Sequence, residues 1–243
     1  MQRLTRVGVL LVLAGCAKAP SAGEPPPPAT GAPSPGLHWV RSSAEYRAIA
    51  IEVYRAATTA VEAAARDLEP GRWGVILDAD ETVLDNSEYQ RRLERAGARF
   101  SDSTWTIWVR EQAAGTVPGA VDFISRVREL GGRVAIVTNR AEKVCPETRA
   151  NLVAVGVVAD AVLCQPPGES DKNPRFQRVA DGTATEGVPP LEVIAWIGDN
   201  IQDFPRMRQT MRDDPASFEP FGRRFFVLPN PLYGSWERNP PRD

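Results

Sequence analysis

Apolar residues in this chain gather into short unbroken runs, separated by stretches in which they recur at helical spacing. The runs are Trp73–Leu77, Arg133–Val137, Asp160–Cys164, Val193–Ile197 and Arg223–Leu228. Each is rich in β-branched residues and bounded by polar or turn-forming ones, the pattern of a strand buried on both faces of a parallel sheet. Tyr46, Ile49, Ala50, Val53, Tyr54, Ala57 and Val61 continue at helical spacing after a Ser42/Glu45 pair that resembles a capping box. Pro118 opens a second helical stretch with Val121, Ile124, Val127 and Leu130 on one face, ended by Gly131-Gly132. Helix and strand then alternate to the end, which predicts a doubly wound, mainly parallel α/β sheet. Residues 84–117 are too long for a simple crossover.

The first residues follow a different logic. Arg3 and Arg6 precede Val7–Leu13, an apolar segment too short to span a bilayer but suited to a signal peptide. Leu13-Ala14-Gly15-Cys16 matches a bacterial lipobox, so residues 1–15 are expected to be removed and Cys16 to carry the lipid. Several acyl chains give durable anchoring where one does not. Residues 16–36, with Pro25–Pro28 at their centre, read as an extended tether, leaving 37–243 as one folded domain. The expected location is the bacterial cell envelope, with the membrane reached through the anchor. Ala17 in place of aspartate points to the outer membrane if the source is Gram-negative.

Composition narrows the chemistry. A net charge of −2 and the lack of a basic run give no sign of a nucleic-acid polymer as partner. The single histidine, His38, lies upstream of every motif and reads as a surface or packing residue. One histidine excludes His-rich zinc sites and phosphohistidine chemistry that needs a second one, and argues against a Ser-His-Asp triad. Neither Cys145 nor Cys164 is followed six positions on by arginine, so cysteine-based phosphatase chemistry also fails. These two cysteines flank neighbouring strand ends, and they read either as a disulfide in an oxidising compartment or as two buried thiols.

What remains is carboxylate chemistry at strand ends. The first strand closes on Asp78-Ala79-Asp80-Glu81-Thr82. A carboxylate can accept a phosphoryl group, and a second one two residues on can protonate the departing alcohol and then deprotonate water. The second strand ends in Thr138-Asn139, both able to hold phosphate oxygens, and the fourth ends in Gly198-Asp199 with Asp203 four residues on. Of 29 lysines and arginines only Lys18, Lys143 and Lys172 are lysines, which marks Lys172 as a compact charge for a phosphate oxygen.

These residues resemble the haloacid dehalogenase superfamily through Asp78-x-Asp80-x-Thr82, Thr138, Lys172 and Asp199-x-x-x-Asp203. Ser42-x-x-Glu45-Tyr46, Leu84-Asp85-Asn86-Ser87, Thr138-Asn139-Arg140 and Leu228-Pro229-Asn230-Pro231-x-Tyr233-Gly234-x-Trp236-Glu237 are similar to the bacterial class C acid phosphatases, which include lipoprotein 5′-nucleotidases. The resemblance implies a Rossmann-like core with a small helical cap, drawn from residues near 37–68 and 84–117. It implies Asp78 as nucleophile, Asp80 as general acid and base, and Thr138, Asn139 and Lys172 as phosphate-binding. Mg²⁺ would be held by Asp78, Asp199 and the backbone carbonyl of Asp80, with Asp203 orienting a metal-bound water. Tyr89, Trp105 and Tyr233 are candidates for stacking on a base, although Trp105 and Trp108 share a helical face and could both be cap core. The function expected is hydrolysis of small phosphomonoesters, nucleoside 5′-monophosphates first, through an aspartyl-phosphate. The alternatives are a phosphotransferase, a hydrolase of another small phosphate, or a non-catalytic lipoprotein binding a nucleotide or haem. Asp80 argues against a dehalogenase, which has no alcohol to protonate. Oligomeric state is left open.

Overall fold

The computed structural model describes residues 31–241, so the leader, Cys16 and most of the tether lie outside the described residues. Two helices come first, α1 (Pro35–Ser42) and α2 (Ala44–Ala64). Ser43, not Ser42, caps α2: its hydroxyl accepts from the Tyr46 amide at 3.0 Å, while Ser42 closes α1. Adjacent serines are chemically equivalent caps, and the extended backbone at Ser43 decides between them. His38 is exposed on α1.

β1 (Trp73–Leu77), β4 (Arg133–Ala141), β5 (Ala161–Gln165), β6 (Glu192–Gly198) and β7 (Phe225–Val227) form one sheet in the order β5-β4-β1-β6-β7, parallel throughout. Between β1 and β4 lie β2 (Leu84–Asp85), α3 (Ser87–Arg95), α4 (Asp102–Glu111), β3 (Gly115–Thr116) and α5 (Ala120–Glu129), with β2 and β3 paired antiparallel. α6 (Cys145–Ala154) follows β4, and α7 (Asn173–Ala180) follows β5.

Alternate residues of the strands sort onto two faces. Val75 and Leu77 pack with Ala50, Tyr54, Ala57 and Val61 of α2 and Phe123 and Val127 of α5. Ile76 faces the other way, with Phe176 and Val179 of α7, Trp196 and Phe204. Both faces of the sheet are buried, which explains the unbroken apolar runs. The residues of α2 that were expected near a cap therefore pack on the sheet, whereas α1 packs on α3. Ile49, placed on the buried face by periodicity, is 37% exposed.

The chain runs outward from β1 to β4 and β5, then returns to β1's other side for β6 and β7. The carboxyl end of β1 thus sits at the point where strand order reverses, the crevice in which open α/β sheets bind ligands. Cys145 and Cys164 are joined by a disulfide, their Cα atoms 5.9 Å apart, which ties α6 to β5. No helix among the described residues is long and apolar enough to cross a membrane.

Candidate active site

Asp78 leaves β1 with its amide still bonded to the Ile197 carbonyl of β6 at 2.9 Å. The next residues turn tightly: Val83 and Leu84 donate to the Ala79 carbonyl at 2.9 and 2.7 Å, and Glu81 takes a left-handed φ of 51°. The turn holds both carboxylates at the strand end. Buried Lys172, at the start of α7, donates to Asp78 Oδ1 and, at 2.6 Å, to Asp203 Oδ1. Asp203 Oδ2 accepts the Asn200 amide at 2.8 Å. Thr82 Oγ1 donates to Asp199 Oδ1 at 3.2 Å, and Asn230 Nδ2 donates to Asp199 Oδ2 at 2.7 Å.

Residues that lie far apart in sequence thus meet around β1 and β6. One carboxylate oxygen each from Asp78, Asp199 and Asp203 lies within 4.8 Å of the others. Burial raises the Asp78 carboxyl to about 7, with the charges of Asp203 and Asp80 adding and Lys172 opposing. Burial raises Asp199 as well, reinforced by Asp203 and Asp78. Burial pulls the Lys172 ammonium down, yet Asp203 and Asp78 outweigh it and hold it above its ordinary range. Three crowded carboxylates with a single ammonium between two of them make a donor set suited to a hard divalent cation.

Asp80 is held from the opposite side. Its Oδ1 accepts Arg140 Nε at 2.9 Å and Asn86 Nδ2 at 2.9 Å. Asn86 Oδ1 in turn accepts Arg140 NH2 at 3.1 Å and the Trp108 indole N–H at 2.8 Å. Glu81 Oε1 takes the Asn86 amide at 3.0 Å. Nothing in the sequence alone gives Asn86 or Arg140 a role, and Trp108 reads there only as a residue that could be cap core. The only signal was that Asn86 and Arg140 sit inside family-like motifs.

Arg175 carries no sequence motif that marks it. Fully buried, it donates to the Thr138 carbonyl at 2.5 Å and to Asn139 Oδ1 at 2.6 Å, fixing the end of β4 beside Asp78. Thr138 itself is 0% exposed. Its hydroxyl oxygen accepts the Arg140 amide at 3.1 Å, which leaves the hydroxyl proton to be donated elsewhere. Asn139 is exposed at the cavity edge.

Above these groups opens a cavity of about 660 Å³ whose lining includes Asp78, Asp80, Lys172, Trp105, Tyr233 and Phe100. Trp105 and Tyr233 are partly exposed there, and so is Phe100, 59% exposed, which no sequence motif marks. Tyr89 also reaches the lining but is only 3% exposed. Its ring meets Trp105 edge-on at 5.0 Å and its hydroxyl bonds Thr104 Oγ1 at 2.9 Å, so it braces Trp105 from α3.

A carboxylate-bearing loop at the switch point of a parallel sheet, with a lysine and paired acids from later in the chain, is the arrangement of a haloacid-dehalogenase-type phosphatase. Residues 28–236 match the family model described as HAD superfamily, subfamily IIIB (acid phosphatase), and the chain belongs to that family. The fold is similar to the class C acid phosphatase from Bacillus anthracis, with 27% identity, a TM-score of 0.72, and coverage of 83% of this chain and 85% of that one. The tungstate-bound form of the Bacillus anthracis protein matches with the same identity, TM-score and coverage. The protein is a phosphomonoester hydrolase.

Proposed function

We propose that this acid phosphatase hydrolyses small phosphomonoesters, nucleoside 5′-monophosphates foremost, in a Mg²⁺-dependent reaction through an aspartyl-phosphate on Asp78, while anchored to the cell envelope through Cys16. One observation carries the chemistry: Asp78 and Asp80 leave the same turn but are held by different partners, Lys172 and Arg140. Asp78 attacks phosphorus, and the ester oxygen departs with a proton from Asp80. Asp80 then takes a proton from water as that water breaks the acyl phosphate, returning both carboxylates to their first state. Lys172 and Asn139 offset and position the transferring group, with Thr138 behind them.

The metal would be held by Asp78 and Asp199 with the Asp80 carbonyl, and would supply charge stabilisation at the phosphoryl oxygens. Asp203 borders this set, but Lys172 and the Asn200 amide already occupy its two oxygens, which favours an orienting role. That the related Bacillus anthracis phosphatase binds tungstate supports an oxyanion site here. The aromatic edge formed by Trp105, Phe100 and Tyr233 supports a substrate with a flat apolar group. The Cys145–Cys164 disulfide supports export, because such bonds persist in oxidising compartments.

The test is turnover of a nucleoside 5′-monophosphate and a chromogenic phosphomonoester by wild type, by Asp78→Asn and by chelated enzyme. The substitution keeps the shape but removes the attacking charge, so both the variant and the chelated enzyme should lose activity by orders of magnitude. Wild-type rates in either would overturn the mechanism. An inert wild-type protein that still binds nucleotide would make it a binding lipoprotein instead.

A further inference from the structure

A second and larger cavity, about 930 Å³, opens beside the first and shares Asn139, Lys172 and Gln202 with it. Its wall carries Arg206, Arg208 and Arg238 against one carboxylate, that of Asp171. The Asp171 carboxylate is engaged, with Oδ1 accepting the Asn173 amide at 2.9 Å and Asn173 Nδ2 at 2.7 Å. The positive charge of Lys172 is matched by Asp78 and Asp203. The three arginines have no ion-pair partner among the described residues. Other surface arginines among the described residues lack such partners too, but these three converge on one cavity wall.

Arg206 has a second peculiarity. It adopts a left-handed φ of 63°, which costs energy in a non-glycine residue, and its amide is pinned by Asn173 Oδ1 at 2.9 Å. The same Asn173 opens α7 directly after Lys172, so one short segment sets both the phosphate-site lysine and the arginine wall. Guanidinium groups match phosphate oxygens in a two-pronged geometry, and unpaired ones at the mouth of a groove attract anions.

We propose that this groove is a subsite for a second phosphate carried by the substrate, so that among small phosphomonoesters those bearing a second phosphate bind more tightly than the plain monophosphate. One phosphate meets Asp78 while the other lies among Arg206, Arg208 and Arg238, the linking part of the molecule passing Asn139 and Gln202. This rests on the phosphatase reading above and deepens it.

The experiment compares a nucleoside 5′-monophosphate with the matching 3′,5′-bisphosphate, in wild type and in an Arg206→Ala/Arg208→Ala/Arg238→Ala variant. Charge-assisted bonds of this kind change affinity by about tenfold or more. The wild-type KM should be about tenfold lower for the bisphosphate. In the variant that advantage should vanish, with kcat and KM for the monophosphate within about twofold of wild type. Equal KM values for the two substrates in wild type, or equal losses on both in the variant, would overturn the subsite. Inorganic phosphate distinguishes the other source of the same chemistry. Arginine-dependent, non-competitive inhibition by phosphate without any bisphosphate preference would make the groove a site for the free anion and overturn the substrate role. Calorimetric binding of the bisphosphate to Asp78→Asn, with and without the three arginines, reads the groove separately. If no phosphomonoester is turned over but this binding difference persists, the phosphatase reading fails and the groove stands.

Discussion

Arg140 and Asp80 are joined at one oxygen: Nε and NH2 of the arginine lie 2.9 and 2.8 Å from Asp80 Oδ1, and no hydrogen bond among the described residues engages Oδ2. The guanidinium is buried, its NH1 has no hydrogen-bond partner among the described residues, and its Cζ lies 5.4 Å from the centre of the Trp105 ring. Arg140 therefore links Asp80, the proposed acid for the leaving group, to the aromatic wall of the cavity.

Arg140→Lys keeps the charge and loses the fork, so Asp80 should lose its fixed orientation. General acid catalysis contributes about 10²–10⁴-fold, and most of it should disappear for alkyl phosphates whose alkoxide needs a proton. 4-Nitrophenyl phosphate, whose leaving group needs less help, should suffer much less. Steady-state rates on the two substrates, with thermal unfolding to confirm the fold, check this. Equal losses would assign Arg140 to the scaffold alone.

Gly198 ends β6 where the Asp203 side chain folds back over the strand. A Cβ at Gly198 would lie 2.3 Å from Asp203 Cβ, so Gly198→Ala must displace the aspartate and the Lys172 it holds. Misplacement of such groups by about 1 Å can cost about 10²-fold in rate. The variant should show that loss in kcat while retaining its helical circular dichroism.

Tyr233 borders the cavity opposite Asp80 in function but makes none of the bonds that hold the carboxylates. Stacking is worth roughly 1–3 kcal/mol per base, so Tyr233→Ala should lower kcat/KM for nucleoside monophosphates about tenfold or more. Hydrolysis of a small aliphatic phosphate should be nearly unchanged. Matching losses on both would remove the case for base recognition at this residue.

Glu88 supplies the pH dependence. Its bond to Arg91, then those to Arg92 and the charge of Arg41, hold its carboxyl down at about 2. A depressed carboxyl stabilises the fold above its ordinary pKa and loses that contribution as pH falls from about 4.5 to about 2. The cluster is partly exposed, so Glu88→Gln should cost no more than about 1 kcal/mol at pH 7. The gap between variant and wild type, measured by urea unfolding, should close by pH 2.

The strands were legible because a strand buried on both faces needs an uninterrupted apolar run, as Val75–Leu77 and Val134–Val137 provide. Asp78, Asp199 and Asp203 were legible because acids at or just past strand ends in this order have few structural duties, and Lys172 because lysine is rare in this chain. Arg140 and Arg175 were not, since arginine is this chain's ordinary cation and their partners lie 60 and 37 positions away. β2 and β3, two residues each, are too short to show any period.

The order of the strands also sets when the enzyme can become active. β1 leads into Asp78, the proposed nucleophile, early in the chain, but one of its two neighbours, β6, brings Asp199 and Asp203 only near residue 200, and Asn230 secures Asp199 later still. A nascent chain ending before that point possesses Asp78 and Asp80 without the acids or the amide that complete the site. Phosphatase activity is therefore acquired at the close of synthesis rather than accumulated along it, and a chain truncated after β5 would be inert however well its first half folds.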